Sequence, residues 1–363
     1  MANEPSQTNL SHDLIAAPIQ SFMTLNSTTR PWHMPLVAAL AISSPVFIGA
    51  YYDDLAMGLL ASLGAMVILN LPYVGTLLYR MAVMMACSFG MVACFAVGLI
   101  AHSMPILVIP LTLFITFWVT VFSRCHRLPP PAGLFIIMAS ALAFFMPATV
   151  EQLPYLIGVV ALGTLIAGMV GCCYTLALLY NRPIKPAEPR LPTQAVLSDA
   201  MIMSVFIALS LGVALLLKMP KPYWVPMSCY VVMQGMNFQS IWIKHLHRIV
   251  GTGFGMGVAW FILAMQPQGY TIALLILGLV FFIETLVVRH YAAAVIFVTP
   301  LTIILAEYST PHAHPLTEII SARLWDTVLG CFIGVLGGMM ILSPAIKQRM
   351  QVVVNKLLAK FDI

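Results

Sequence analysis

Apolar runs of roughly 15–22 residues, each long enough to cross a bilayer, recur from about residue 34 to residue 343. No feature constrains the fold more. In lipid every backbone N–H and C=O must be satisfied inside a helix or a closed barrel. The runs show no ten-residue alternation of the kind barrel strands carry. The expected fold is therefore all-α, a polytopic membrane protein. Composition agrees: 61% of the 363 residues are hydrophobic and 8% are charged, where a soluble domain carries about 25% charged residues. The opening stretch MANEPSQTNLSHDL is polar and lacks a basic region leading into an apolar core. It is not expected to be a cleaved signal peptide.

About twelve transmembrane helices can be drawn, at 34–50, 55–72, 81–102, 105–123, 132–147 and 154–179, then 197–217, 223–236, 249–265, 270–288, 291–306 and 319–343. The second and eighth are short and bear Pro or Gly, which points to broken or tilted spans. With the N-terminus inside, Arg30, Arg80, Arg124, Arg127, Arg182, Lys185, Arg190, Lys244, Arg248, Arg289, Lys347, Arg349, Lys356 and Lys360 fall on the cytoplasmic side. Lys218 and Lys221 fall opposite, and Arg323 lies inside the last span. That asymmetry obeys the positive-inside rule and places both termini in the cytoplasm. The formal charge of +5 sits in loops near lipid headgroups and needs no nucleic acid. The seven cysteines form no CxxC pair. They read as reduced, buried small residues, with no zinc site or disulfide.

The stretch NRPIKPAEPRLP is the most polar and Pro-rich in the chain and reads as a linker. It divides the chain into a polar cytoplasmic tail (1–33), a first six-helix half (34–180), a cytoplasmic linker (181–196), a second six-helix half (197–343) and a basic amphipathic tail (344–363). The tail alternates basic and apolar positions as an interfacial helix does. Arg80 falls on Arg248 across the two halves, Arg124 on Arg289, and Gly163-Thr164 on Asp326-Thr327. This is the pattern of an internal repeat. Two halves with even span counts keep one orientation and are related by an axis along the membrane normal.

The run HRIVGTGFGMGVAW sets four glycines at alternate positions after an arginine. No Lys-Ser/Thr follows, as a phosphate loop requires, and no strand precedes it, as a dinucleotide fingerprint requires. Gly251 with Gly255, and Gly253 with Gly257, are instead GxxxG pairs that let helix backbones approach in lipid. Gly330, Gly334 and Gly338 repeat the device in the last span.

Preceded by PYWVPMSCYVVMQ and followed by ARLWDTVLGCFIGVL, this run resembles the fusaric acid resistance (FUSC) superfamily. The matching positions are Tyr223, Trp224, Gln234, Arg248, Gly251, Thr252, Arg323, Asp326, Thr327 and Gly330. The second half carries the resemblance, and the first matches through Arg80 and the span pattern. The large cytosolic domain of many members is replaced here by a short linker and tail. The resemblance implies an inner-membrane exporter of aromatic carboxylic acids or similar amphipathic compounds in a bacterium, often working beside a periplasmic adaptor protein.

Ionisable residues at membrane depth are expensive and usually face a pathway or a partner. Arg323 and Asp326 lie three apart, on one helix face. They read either as a self-satisfied ion pair or as a pathway arginine offering its fork to a carboxylate. Glu284 and Asp326 are the proton-coupling candidates, because an apolar setting favours a carboxyl group that keeps its proton, and Glu284 reads equally as a structural hydrogen-bond partner. Arg80 and Arg248 are placed where spans three and nine meet the cytoplasm, either as anchors or facing a common centre. Trp224 and Tyr223 are the aromatic candidates for a substrate ring. His312 and His314 in PHAHP are not expected to hold a metal, and His245 and His247 read as cytoplasmic loop residues. The expected partners are an organic anion, the bilayer, a periplasmic adaptor and further copies of the chain. No cofactor, resident metal or enzymatic motif is expected. A passive anion channel and a major-facilitator transporter are the alternatives to an exporter driven by membrane potential or a proton gradient.

Overall fold

The computed structural model describes residues 24–28, 30–181, 193–235, 237–307, 316–346 and 348–352. Most of the N-terminal tail, the Pro-rich linker, the PHAHP loop and the end of the C-terminal tail lie outside the described residues. Among the described residues the protein is all-helical. The helices are α1 (His33–Tyr51), α2 (Leu55–Ala65), α3 (Leu77–Ala101), α4 (Val108–Cys125), α5 (Leu134–Phe144) and α6 (Leu153–Asn181). They continue as α7 (Thr193–Leu216), α8 (Trp224–Met233), α9 (Phe238–Ala264), α10 (Tyr270–Leu286), α11 (Tyr291–Glu307) and α12 (Leu316–Leu342).

Seven of these are long and apolar enough to cross a membrane: α1, α3, α4, α6, α7, α9 and α12. The other five are shorter apolar helices. At 1.5 Å per residue, the 10 residues of α8 reach about half of a ~30 Å hydrocarbon core. α2 is likewise short and tightens into a 3-10 turn over Met66–Asn70. Local chemistry sets the starts. The Asp54 side chain accepts from Met57 N and opens α2. Thr76 accepts from Tyr79 N at the start of α3. Asn237 and Ser240 cap α9 reciprocally. This last box begins the helix eleven positions before the span start drawn from hydropathy, because the polar KHLHR stretch is helical and not loop.

Helix packing is built on small residues. α9 lies along α11 and α12, and α12 lies along α8. A Cβ added at Gly251 would stand 2.7 Å from the Ala292 carbonyl oxygen of α11, and one at Gly255 would stand 2.7 Å from that of Ile296. On α12, Gly334 abuts the Cys229 carbonyl of α8, and Gly330 that of Val225. In the first six helices α3 lies along α5 and α6, and α2 along α6, where Gly64 meets Val160 and Gly163 meets Ala61. α1 packs along α10, and α7 along α4. All seven cysteines are free; Cys87, Cys229 and Cys331 are buried, while Cys173 is exposed.

The two glycine pairs of α9 differ. Gly253 and Gly257 face outwards with nothing within 4 Å of an added Cβ, so of the two pairs read from the sequence only Gly251 and Gly255 form a seam. Gly255→Ala is expected to cost about 1–3 kcal/mol through overpacking. Gly253→Ala and Gly257→Ala are expected to be neutral or mildly stabilising through helix propensity. Thermal unfolding of the three variants in detergent micelles measures the contrast.

Candidate functional site

Helices α8, α9, α11 and α12 enclose a polar seam in the second half. It begins with Arg248, which α9 carries about 15 Å from its first residue, ten positions at 1.5 Å each. Arg248 therefore lies well within a helix that begins before the span drawn from hydropathy. Its guanidinium is buried, 6% exposed. Nε donates to Ser228 Oγ of α8 at 3.2 Å, and Nη1 donates to Tyr291 Oη of α11 at 3.2 Å. Both partners are neutral hydroxyls. His245 and His247 lie on the same helix and not in a loop. The His245 ring stacks on Trp242 and the His247 ring on His290.

Arg323 enters the same seam from α12. Its guanidinium carbon lies 3.5 Å from the centre of the Trp224 ring, a close cation–π contact, and Nη2 donates to Thr302 Oγ1 of α11 at 3.3 Å. Trp224 is buried and its ring lies tilted against that of Tyr223, with centroids 5.2 Å apart. The ring expected to receive a substrate thus holds Arg323 on one face. Asp326, one turn further along α12, is fully buried, and among the described residues neither carboxyl oxygen has a hydrogen-bond partner. The ion pair that the three-residue spacing allowed is not formed. Thr327 spends its hydroxyl on the Arg323 carbonyl at 2.8 Å.

The remaining expected residues lie elsewhere. Arg80 is buried near the start of α3, with its guanidinium 6.0 Å from the Tyr174 ring. Tyr174 in turn bonds His33 at 2.9 Å. No hydrogen bond, ion pair or ring contact among the described residues joins Arg80 to Arg248. Glu284, near the end of α10, pairs with Arg30 of the segment before α1: Nη2 to Oε2 is 2.6 Å, and Nη1 also reaches the Glu284 carbonyl at 3.0 Å. Both side chains are buried. Arg30 also lies over Tyr73, whose phenol is pushed up by burial while the guanidinium pulls it back. A cavity of about 90 Å³ adjoins this pair, lined among others by Thr28, Trp32, Thr285 and Arg289. Trp32, Trp118, Trp260 and Trp325 are exposed, as interfacial anchors are.

Two partnerships were not read from the sequence. Arg30 looked like one more positive-inside residue, although it precedes an apolar run and Glu284 stands alone in another. Asp199 of α7 pairs with Arg124 at the end of α4; the signal was a lone acid in an apolar span.

Residues 206–337 match the family model described as fusaric acid resistance protein-like. The second half is fusaric-acid-resistance-like. The match holds α8 to α11, the glycine seams, Arg248, Arg323 and Asp326. An uncharacterized membrane protein, YvaC, of Bacillus subtilis (strain 168) is 34% identical over 128 residues, which is 35% of this chain and 20% of that protein. The match thus spans about a fifth of that relative's length. No solved structure matches the chain. The chain carries helices long and apolar enough to cross a membrane, and the resemblance lies in its second half.

Removing one partner of a buried ion pair leaves an uncompensated charge, at a cost of about 3–5 kcal/mol. Arg30→Ala is expected to lower the unfolding temperature accordingly. Adding Glu284→Gln to that variant should recover part of the loss, which chemical denaturation in micelles checks.

Proposed function

We propose that the protein exports an organic anion, such as an aromatic carboxylate or an amphipathic toxic compound, across a bacterial inner membrane, with both termini cytoplasmic. The observation that carries this reading is Arg248. A buried charge is costly unless it is paired, and this one has two hydroxyls and, among the described residues, no carboxylate within ion-pair distance. A guanidinium at membrane depth held by neutral donors-and-acceptors retains its attraction for a carboxylate, and its fork matches that group. Arg323 adds a second positive charge in the same seam. The walls are apolar and aromatic, as a ring-bearing substrate needs.

The twelve-crossing, two-half layout is part of the proposal. What supports it is the parallel packing: α3 on α5 and α6 matches α9 on α11 and α12, and α2 on α6 matches α8 on α12. Arg80 and Arg248 then hold corresponding places near the start of α3 and within α9. Export of an anion from a negative interior gains about 2.3 kcal/mol per charge per 100 mV. Proton coupling through Glu284 or Asp326 is the alternative to drive by the potential, and Glu284 already has Arg30 as its partner. A periplasmic adaptor and self-association belong to the same proposal.

The test is efflux of a panel of aromatic carboxylates from proteoliposomes. Arg248→Ala removes charge-assisted contacts of about 1.5–3 kcal/mol each and is expected to reduce transport of every carried anion by at least about tenfold. Unchanged transport in that variant would sink the basic-seam reading. Flux against the substrate's own electrochemical gradient separates a coupled exporter from a passive channel.

A further inference from the structure

We infer that Asp326 is a proton-controlled rival for Arg323, so that proton uptake and anion binding occur together at this seam. The inference rests on the proposed transport role for its anion arm alone. The geometry concerns two side chains of one helix. Arg323 and Asp326 are separated by three residues and share a face of α12. Yet the guanidinium is turned to the Trp224 ring and the Thr302 hydroxyl, while both oxygens of the wholly buried carboxyl are without a hydrogen bond.

An ionised carboxylate left in that state costs several kcal/mol, whereas a neutral carboxylic acid costs far less. The arrangement seen is therefore the one that suits protonated Asp326. Loss of the proton to solvent creates a negative charge beside a positive one on a long, rotatable side chain. Arg323 then has a closer partner than the aromatic ring and swings to Asp326. In that state an incoming carboxylate meets a repelling anion at the site. Protonation removes that repulsion.

Among the described side chains, the other titratable groups on α12 and on the elements against it are Cys331 of α12 itself, Cys229 and Tyr230 of α8, Lys244, His245, His247 and Arg248 of α9, Tyr291 of α11, and Asp199 of α7. Asp199 is held by Arg124, Arg248 by Ser228 and Tyr291, and Lys244 by the Gln234 carbonyl. Arg323 is the charged group that acts on the Asp326 carboxyl.

The sign follows by linkage: a proton that promotes anion binding is itself bound more tightly when the anion is present. Proton and anion then travel in the same direction, as the neutral acid. Coupling through Asp326 is cotransport and not exchange, and the membrane potential does no work on that pair.

Trp224 reports the switch without any substrate. In full-length protein in nanodiscs, the emission of Trp224 is taken as the difference between wild type and Trp224→Phe and followed from acidic to alkaline pH. The wild type is expected to show a single transition, and Asp326→Asn to keep the acidic-side signal throughout. A wild-type signal that is flat with pH, or a transition that persists in Asp326→Asn, overturns the inference. With benzoate as the probe, wild-type affinity is expected to fall by about tenfold per pH unit beyond the transition, one proton being linked to one anion. Asp326→Asn should bind benzoate equally at every pH. Equal wild-type affinity on both sides of the transition also overturns the inference. A panel of aromatic carboxylates that neither bind nor cross while the Trp224 transition stands would refute the transport reading and leave the Arg323 switch in place.

Discussion

The close approach of helix backbones at small residues is the constraint on which the polar chemistry depends. In lipid there is no hydrophobic force between helices, so contact, dispersion and interhelical hydrogen bonds must hold them together. At Gly251 and Gly255 the backbone of α9 comes against carbonyls of α11, and at Gly330 and Gly334 that of α12 comes against α8. These seams fix how far each helix stands from the next. That spacing lets the Arg248 guanidinium reach Ser228 and Tyr291 on two different helices, and sets Arg323 on the Trp224 ring. Larger residues at the seam would part the helices, and hydroxyl and guanidinium would lose reach of one another. The glycines and the arginines are thus one device.

Ion pairs do a different task. Arg30 with Glu284 and Arg124 with Asp199 both connect segments far apart in sequence. The first ties the segment before α1 to α10, and the second ties α4 to α7, which are the helix pairs that also pack along one another. Each pair thus links the first part of the chain to the last six helices. Attraction is the stronger in the Arg30–Glu284 pair, where both side chains are buried and little water screens it, whereas the Arg124 side chain is partly exposed. The two pairs hold the first and last six helices in one relative position, whereas the glycine seams operate inside each set.

The all-helical fold was legible because apolar run length depends on composition alone. Where a run was interrupted by charge, the reading erred. The KHLHR stretch of α9 looked like a loop because its residues are polar, yet Asn237 and Ser240 cap a helix there, and aromatic rings cover His245 and His247. Hydropathy counts residues and does not see a neighbouring helix that supplies hydroxyls. The partner of Glu284 was missed for the same reason. Along the helix Arg289 is near, but Arg30 comes from 254 positions away in sequence, a distance no local pattern encodes. Arg323 and Asp326 lie three positions apart on α12, but the ion pair that the spacing allowed is not seen. Which partner each takes depends on Trp224 and Thr302, residues brought in by α8 and α11.

The two buried carboxyl groups show how surroundings separate roles. Glu284 receives two hydrogen bonds' worth of attention from one guanidinium, at its carboxylate and its carbonyl. Its charge is compensated in place, and removing the proton-accepting group would mainly loosen the contact between α10 and the chain before α1. Asp326 has an arginine within one turn but no bond to it, and its oxygens face no donor. A group left uncompensated in a well-packed seam is tolerated only if it spends time in a neutral state or in another arrangement. The helix that carries it also carries the alternative partner. A fold maintained by fixed glycine contacts therefore contains one side chain, Arg323, with two places to go, and the proton on Asp326 decides between them.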